Sequence, residues 1–384
     1  MKYPVWYLLS SQRLPRVSGG RCRFAWRSSL CVLPLLLCAS CLFTPPPFSE
    51  QQWRQQVARQ DPADLYAAHE KDGRFFNPWM PEEQRGLLTV LRWRLTRAAT
   101  YSAAEETYLP RLIPDLAQRL AQLPVARDIL VWIGHGTFLL RLDGSWWLTD
   151  PMLSQRALLP KRLTDPALRK EDLAILDGPL NVIISHNHYD HLDSDTIEML
   201  PAHARFFVPL GVRDMIESWH DGEVTELDWW QRRRVDGGEL VCLPAQHWSL
   251  RLGVGRNTSL WASFLIRSGK TVVYFGGDSG YFVGYREIGR VFADIDYALL
   301  PTTAYHPRWF MHYPHLNGEE AVQAFADLGA RTFVPTQWGT FRLGDEPAGY
   351  PRLDLARIIE ARGLPEERYL RPELGEIVFL DSEP

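Results

Sequence analysis

Three histidines and an aspartate stand within six positions in Ser185-His186-Asn187-His188-Tyr189-Asp190-His191, an H-x-H-x-D-H pattern. Imidazoles and a carboxylate at this density suit one or two divalent metal ions of borderline softness, zinc most often. An ordinary solvated turn draws instead on Gly, Asn, Asp and Ser. Two more residues stand where an apolar run gives way to a loop. His247 follows Leu240 to Leu243, and Asp278 follows Thr271 to Phe275 within Gly276-Gly277-Asp278-Ser279-Gly280. Glycines there let the backbone approach closely and free the carboxylate to point inward, where it could bridge two metals. Taken singly, His247 also reads as a buried, hydrogen-bonded histidine and Asp278 as a turn residue. With the histidine-rich loop beside them, both read as ligands.

The elements that must position these groups are strands. Ile129 to Ile133, Thr137 to Leu142 and Ser145 to Thr149 are short β-rich runs parted by Gly134-His135-Gly136 and Asp143-Gly144, a meander. The metal-binding pattern follows Asn181 to Ile184. Later strands are expected at Arg205 to Val208, Glu223 to Leu227, Leu240 to Pro244, Leu260 to Arg267, Thr271 to Phe275, Tyr297 to Leu300, Thr332 to Val334 and Glu376 to Leu380. Helices are expected at Asp193 to Leu200, Val212 to Trp219, Gly318 to Leu328 and Arg352 to Arg362. Strands in two sets with helices between them predict two sheets packed face to face and covered by helices. Residues 51–127 have an amphipathic helical pattern broken by six prolines, and they read as an N-terminal appendage to a catalytic domain over residues 128–384.

Residues 1–40 carry six basic and no acidic residues, then the apolar run Leu30 to Ser40 ahead of Cys41. A basic region, a short apolar core and small residues describe a secretory leader. Its ending at Cys predicts a lipoprotein signal with Cys41 as the lipidated residue, and Pro45-Pro46-Pro47 within residues 41–50 then forms a stiff spacer. An uncleaved anchor is the other reading, although the run is shorter than the ~20 residues that span a bilayer. The expected location is exported and membrane-associated, on the periplasmic side. Beyond the leader, 36 basic residues face 46 acidic ones, which excludes a basic footprint for nucleic acid. Only Cys242 lies beyond Cys41, so the body has no internal disulfide.

Several motifs together resemble one family. H-x-H-x-D-H, a later His, a Gly-Asp turn and a final position after a helix–strand unit are similar to the metallo-β-lactamase fold superfamily. Gly73-Arg74-Phe75-Phe76-Asn77-Pro78-Trp79, Trp132-Ile133-Gly134-His135-Gly136-Thr137, Leu148-Thr149-Asp150-Pro151, Glu226-Leu227-Asp228-Trp229-Trp230, Gln246-His247-Trp248, Ala304 to Met311 and Trp338-Gly339-Thr340-Phe341 resemble its N-acyl-phosphatidylethanolamine-hydrolysing phospholipase D branch. The similarity runs from about residue 70 to the C-terminus.

The resemblance implies an α/β fold, an αββα sandwich of two mixed sheets flanked by helices, with two Zn2+ ions at one edge. One zinc would be held by His186, His188 and His247, the other by Asp190 and His191, with Asp278 bridging. The family's seventh ligand is a His before Trp-Gly-Thr-Phe; here that position is Gln337, whose neutral amide oxygen is a weaker ligand. His315 matches a family histidine near the substrate phosphate. Asp190, Asp278 and His315 are then the catalytic candidates. The implied reaction is attack of a metal-bound hydroxide on the phosphorus of a phospholipid substrate at a membrane surface, giving phosphatidic acid and an N-acylethanolamine. A hydrolase of another ester, lactone or cyclic phosphodiester, and a non-catalytic lipid-binding lipoprotein, remain the alternatives.

Overall fold

The computed structural model describes residues 44–82, 85–96, 99–124 and 127–380. The leader and Cys41 lie outside the described residues. From Pro45 onward the chain forms one compact unit.

Two sheets carry the fold. The first takes β1 (Ile129–Gly134), β2 (Thr137–Leu142), β3 (Ser145–Thr149), β4 (Leu180–Ile183), β5 (Ala204–Pro209) and β6 (Val224–Leu227), with the last strand, β13 (Ile377–Phe379), at its far edge. Its order is β13-β1-β2-β3-β4-β5-β6. The pairs from β13 to β3 are antiparallel and those from β3 to β6 parallel. The second takes β7 (Arg232–Val235), β8 (Gly238–Leu243), β9 (Ser263–Ser268), β10 (Thr271–Phe275), β11 (Tyr297–Pro301) and β12 (Thr332–Thr336), in the order β12-β11-β10-β9-β8-β7. Here β10, β11 and β12 run parallel and the other pairs are antiparallel.

Packing explains why β1 reads as continuous apolar sequence rather than as an alternation. Leu130 and Trp132 join a cluster that includes Phe138, Trp147, Phe264, Ile266 and Val273. Ile129, Val131 and Ile133 face the other way, into a cluster with Leu116, Leu120, Leu173, Ile197 and Ile216 from the covering helices and turns. A strand buried on both faces has no solvent side to make polar. Helices Gly318–Leu328 and Tyr350–Ala361 supply Ala321, Phe325, Leu355 and Ile358 over the second sheet. The result is helix, sheet, sheet, helix, as the sequence leads one to expect.

Three expectations change. The segment from Gln51 to Arg127 is less helical than its pattern suggests. Its described helices are Glu50–Val57, Leu87–Leu95, Ala103–Thr107 and Leu116–Ala121, with a 3-10 turn at Pro62–Tyr66; Pro62, Pro110 and Pro124 follow three of the four within a few residues. The strand expected from Leu260 starts at Ser263, since Leu260 and Ala262 give their amides to loop carbonyls at Leu210 and Ser185. Strand β7, Arg232-Arg233-Arg234-Val235, is an addition: its three exposed arginines form a charged sheet edge of the kind that blocks further pairing.

Candidate metal centre

Every strand that feeds the centre delivers its residue at one edge of the sandwich. The His186–His191 loop leaves β4, His247 leaves β8, Asp278 leaves β10, Gln337 leaves β12, and His135 sits in the β1–β2 turn. The edge outside the carboxyl ends of parallel strands is where open α/β sheets place ligands. Gly277 makes one of these turns possible. Its φ is +57°, and a Cβ there would lie 2.6 Å from Ser185 Cβ, so only glycine brings Asp278 against the histidine loop.

Two groups of donor atoms result. In the first, His188 Nδ1 lies 2.8 Å from His186 Nε2 and 3.3 Å from His247 Nε2. Asp278 Oδ2 lies 3.4 Å from His247 Nε2 and 3.9 Å from His186 Nε2. In the second, His191 Nε2 lies 3.3 Å from Asp278 Oδ1 and 3.4 Å from Asp190 Oδ2, and His135 Nε2 lies 3.0 Å from Asp190 Oδ2. Asp278 thus offers one oxygen to each group. Donors ~2.1 Å from a tetrahedral zinc stand about 3.4 Å apart, which is the spacing both groups approach.

Charge and hydrogen bonding fit the same occupant. Burial, reinforced by the neighbouring imidazoles, holds His186 far below its ordinary pKa. Burial pushes His188 down to about 4 and lowers His247 strongly, so these rings are neutral with lone pairs free. Burial alone would also lower His191, but Asp278, Asp190 and Asp150 outweigh it and hold His191 well above the usual range. Burial would raise Asp190 and Asp278; the His191 charge beside them dominates and keeps both ionised. Three carboxylates around one imidazolium make a buried excess of negative charge that a divalent cation would offset, displacing the proton. The buried Nε2 of His191 faces both carboxylates, 3.3 Å from Asp278 Oδ1 and 3.4 Å from Asp190 Oδ2, so it is the ring nitrogen turned toward the donor group.

The rings are aimed by their other nitrogens. His247 Nδ1–H donates to the Pro314 carbonyl at 3.1 Å. His191 Nδ1–H donates to Asp150 Oδ2 at 2.6 Å, and Asp150 also accepts from Ser185 N–H and Ser185 Oγ–H, each at 2.6 Å. A carboxylate behind a metal-facing histidine fixes its tautomer and raises its basicity. The Gly73–Trp79 motif acts one layer further out. Asn77 Nδ2 donates to the His247 carbonyl at 3.0 Å, Trp261 Nε1–H donates to Asn77 Oδ1 at 3.0 Å, and Trp79 Nε1–H donates to Gln246 Oε1 at 3.1 Å.

Of the residues expected from sequence, His186, His188, Asp190, His191, His247 and Asp278 come together. Gln337 stands beside them in a different role. Its amide nitrogen donates to Asp278 Oδ1 at 2.7 Å and to the Gly277 carbonyl at 3.1 Å. Both partners are acceptors, which fixes the amide orientation and turns its NH2 toward the centre. In this structure Gln337 is a hydrogen-bond donor to the shared carboxylate. His315 lies at the rim, its ring 5.4 Å from that of His247. His312 lies elsewhere, its ring packed near Phe48 and Trp53. Sequence reasoning missed His135 and Asp150 as site residues. A histidine between two glycines right after a fully apolar strand, and an aspartate closing β3, were the available signals.

A two-sheet sandwich with a shared-carboxylate histidine cluster at one edge defines a metal-dependent hydrolase of the metallo-β-lactamase class, and residues 145–338 match the family described as Beta-lactamase superfamily domain. An uncharacterized protein of Mycobacterium tuberculosis is 39% identical over 298 residues, 73% of this chain and 77% of the relative. N-acyl-phosphatidylethanolamine-hydrolyzing phospholipase D 1 of Caenorhabditis elegans is 35% identical over 266 residues, 64% of this chain and 74% of the relative. A metallo hydrolase from Ignicoccus hospitalis shares the fold, with a TM-score of 0.52 and 22% identity over 67% of this chain and 99% of that one. The chain belongs to the metallo-β-lactamase superfamily, in the family of the N-acyl-phosphatidylethanolamine-hydrolysing phospholipases D.

Proposed function

We propose that this hydrolase cleaves a glycerophospholipid phosphodiester, converting N-acyl-phosphatidylethanolamine and water into phosphatidic acid and an N-acylethanolamine. The observation that carries the reading is Asp278, whose two carboxylate oxygens serve two adjacent donor groups. His186, His188, His247 and Asp278 would hold one Zn2+; Asp190, His191 and Asp278 would contribute to the second. A bound metal pair supplies an acidified water and positive charge for the phosphoryl oxygens. Asp190 and Asp278 would orient the attacking water by accepting its hydrogens. His315, whose ring lies 5.4 Å from that of His247, would contact the substrate phosphate.

A lipid substrate fits the helix Leu87–Leu95. Trp93 is its buried side chain, packed on Phe310 and Met311, while Leu87 and Leu88 are 90% and 72% exposed and Leu91 and Leu95 are also exposed. Arg94 lies over the Trp93 ring. An exposed leucine face beside cationic side chains suits shallow insertion at an anionic lipid surface. Lipidation at Cys41 would hold the chain at that surface; the mass of the mature N-terminus tests this. For the reaction, metal-loaded protein is assayed on N-acyl-phosphatidylethanolamine vesicles and on bis(p-nitrophenyl) phosphate. Phosphatidic acid as the lipid product supports the reading; two bound metals with turnover of neither phosphodiester contradicts it.

A further inference from the structure

We propose that His135 is the ligand that completes the second metal site, taking the place that Gln337 does not fill. The inference rests on the two-metal reading above and goes beyond it by naming a donor in the β1–β2 turn.

His135 is fully buried. Its Nδ1 faces the Gln337 carbonyl oxygen at 3.3 Å and its Nε2 faces Asp190 Oδ2 at 3.0 Å. Both neighbours are acceptors, and a neutral imidazole carries one N–H. With that hydrogen on Nδ1, toward the carbonyl, the Nε2 lone pair points at a carboxylate. A cation between Nε2 and Oδ2 removes the conflict. His247 and His191 are built the same way, with Nδ1 on a protein acceptor and Nε2 turned to the donor group. His135 repeats the arrangement that orients metal-binding histidines generally.

The backbone commits the ring to this place. His135 has φ +51° and Gln337 φ +71°, both left-handed. The two loops are tied by Gln337 N–H to the His135 carbonyl at 3.0 Å, and by His135 N–H to Thr340 Oγ1 at 2.7 Å. Gln337 thus serves the second group twice: its carbonyl orients His135 and its amide holds Asp278. With His135 the second group is His135, Asp190 and His191, whose donor atoms lie within 4.8 Å of one another, and Asp278 Oδ1 stands 3.3 Å from His191 Nε2 beside it.

The test counts metal. Apoprotein is titrated with Zn2+ against a chromophoric chelator, and bound metal is measured by elemental analysis. Wild type is expected to hold two equivalents. His135→Asn suits the left-handed backbone but is too short to reach the site, and it is expected to retain one equivalent, with the second weakened at least ten-fold. Adding Gln337→His to that variant is expected to restore the second equivalent. X-ray absorption of the unmutated Co2+ form is a check that no folding defect can affect: five imidazoles shared by two metals, against four if His135 is not a ligand. Four imidazoles, or two equivalents at unchanged affinity in folded His135→Asn, overturns the inference alone. A wild-type chain holding at most one metal overturns the two-metal reading, and the inference with it.

Discussion

Asp150→Asn should weaken the second metal without dismantling the first. Asp150 is fully buried and accepts three hydrogen bonds of 2.6 Å, two on Oδ2 from His191 Nδ1 and Ser185 Oγ and one on Oδ1 from Ser185 N. An amide keeps one oxygen and turns an NH2 to the other side. With its oxygen at the Oδ2 position, the NH2 meets the Ser185 N–H, and a buried donor goes unsatisfied at a cost of about 1–3 kcal/mol. With its oxygen at the Oδ1 position, the NH2 meets His191 Nδ1 and drives the ring to the tautomer with hydrogen on Nε2, the atom meant for metal. Either arrangement also removes a negative charge behind the ligand. Loss of such a supporting carboxylate lowers metal affinity roughly 10–100-fold, or about 1.4–2.7 kcal/mol. His188 and His247 make no hydrogen bond to the altered carboxylate, and His186 reaches it only through Ser185 Oγ, so the first equivalent should be weakened less than the second. Competition titration with a chromophoric chelator reads both constants. Two unchanged affinities in a folded variant would refute the claim that Asp150 sets the His191 tautomer.

Three other outcomes follow from the same contacts. Asn77→Ala removes hydrogen bonds to the His247 carbonyl, the Tyr313 hydroxyl and Trp261 Nε1. It should cost about 2–4 kcal/mol in urea unfolding, given the buried partners left behind, and loosen the first metal more than the second; a stability change under 0.5 kcal/mol would argue against the buttress. Stripping the metals with a chelator should lower Tm, because three buried carboxylates then face one imidazolium; an unchanged Tm would mean the centre does not hold metal in the folded state. Burial pushes Glu346 up to about 7. Its neutral form is therefore favoured by folding, so stability is fully present below the ordinary carboxylate range and is lost as pH rises through about 7, by roughly 3 kcal/mol. Glu346→Gln, which cannot ionise, should be less stable than wild type at pH 5 and match or exceed it at pH 8. The same difference at both pH values in denaturant titrations would rule this out.

The sandwich and six of its site residues were legible because sequence and site share one rule: ligands follow strands. The meander from Ile129 to Thr149 was plain from its two tight turns, and both sheets emerged from β-rich runs. Strand β7 escaped because three arginines mask the pairing signal at an exposed edge. The helix Gly284–Val291 escaped because Gly284, Tyr285 and Gly289 weaken its local propensity, while packing of Tyr285 and Ile288 supplies what propensity lacks. His135 and Asp150 sit in turns that sequence describes only as turns, and their partners lie 55 and 41 positions away. Gln337 was visible as a departure from the family's histidine. Its role as a donor depends on two acceptors, Gly277 and Asp278, that folding brings to it. The Gly73–Trp79 motif marked family membership, and only the fold shows that Asn77 braces His247.

The central claim is hydrolysis at phosphorus by a paired metal site, and isotope incorporation tests it most directly. Metal-loaded protein is given N-acyl-phosphatidylethanolamine vesicles in H2-18O, and the products are analysed by mass spectrometry. One 18O in the phosphate of phosphatidic acid and none in the N-acylethanolamine is the predicted result. Label in the ethanolamide hydroxyl or in a released fatty acid, or no products from protein carrying two metals, would contradict it.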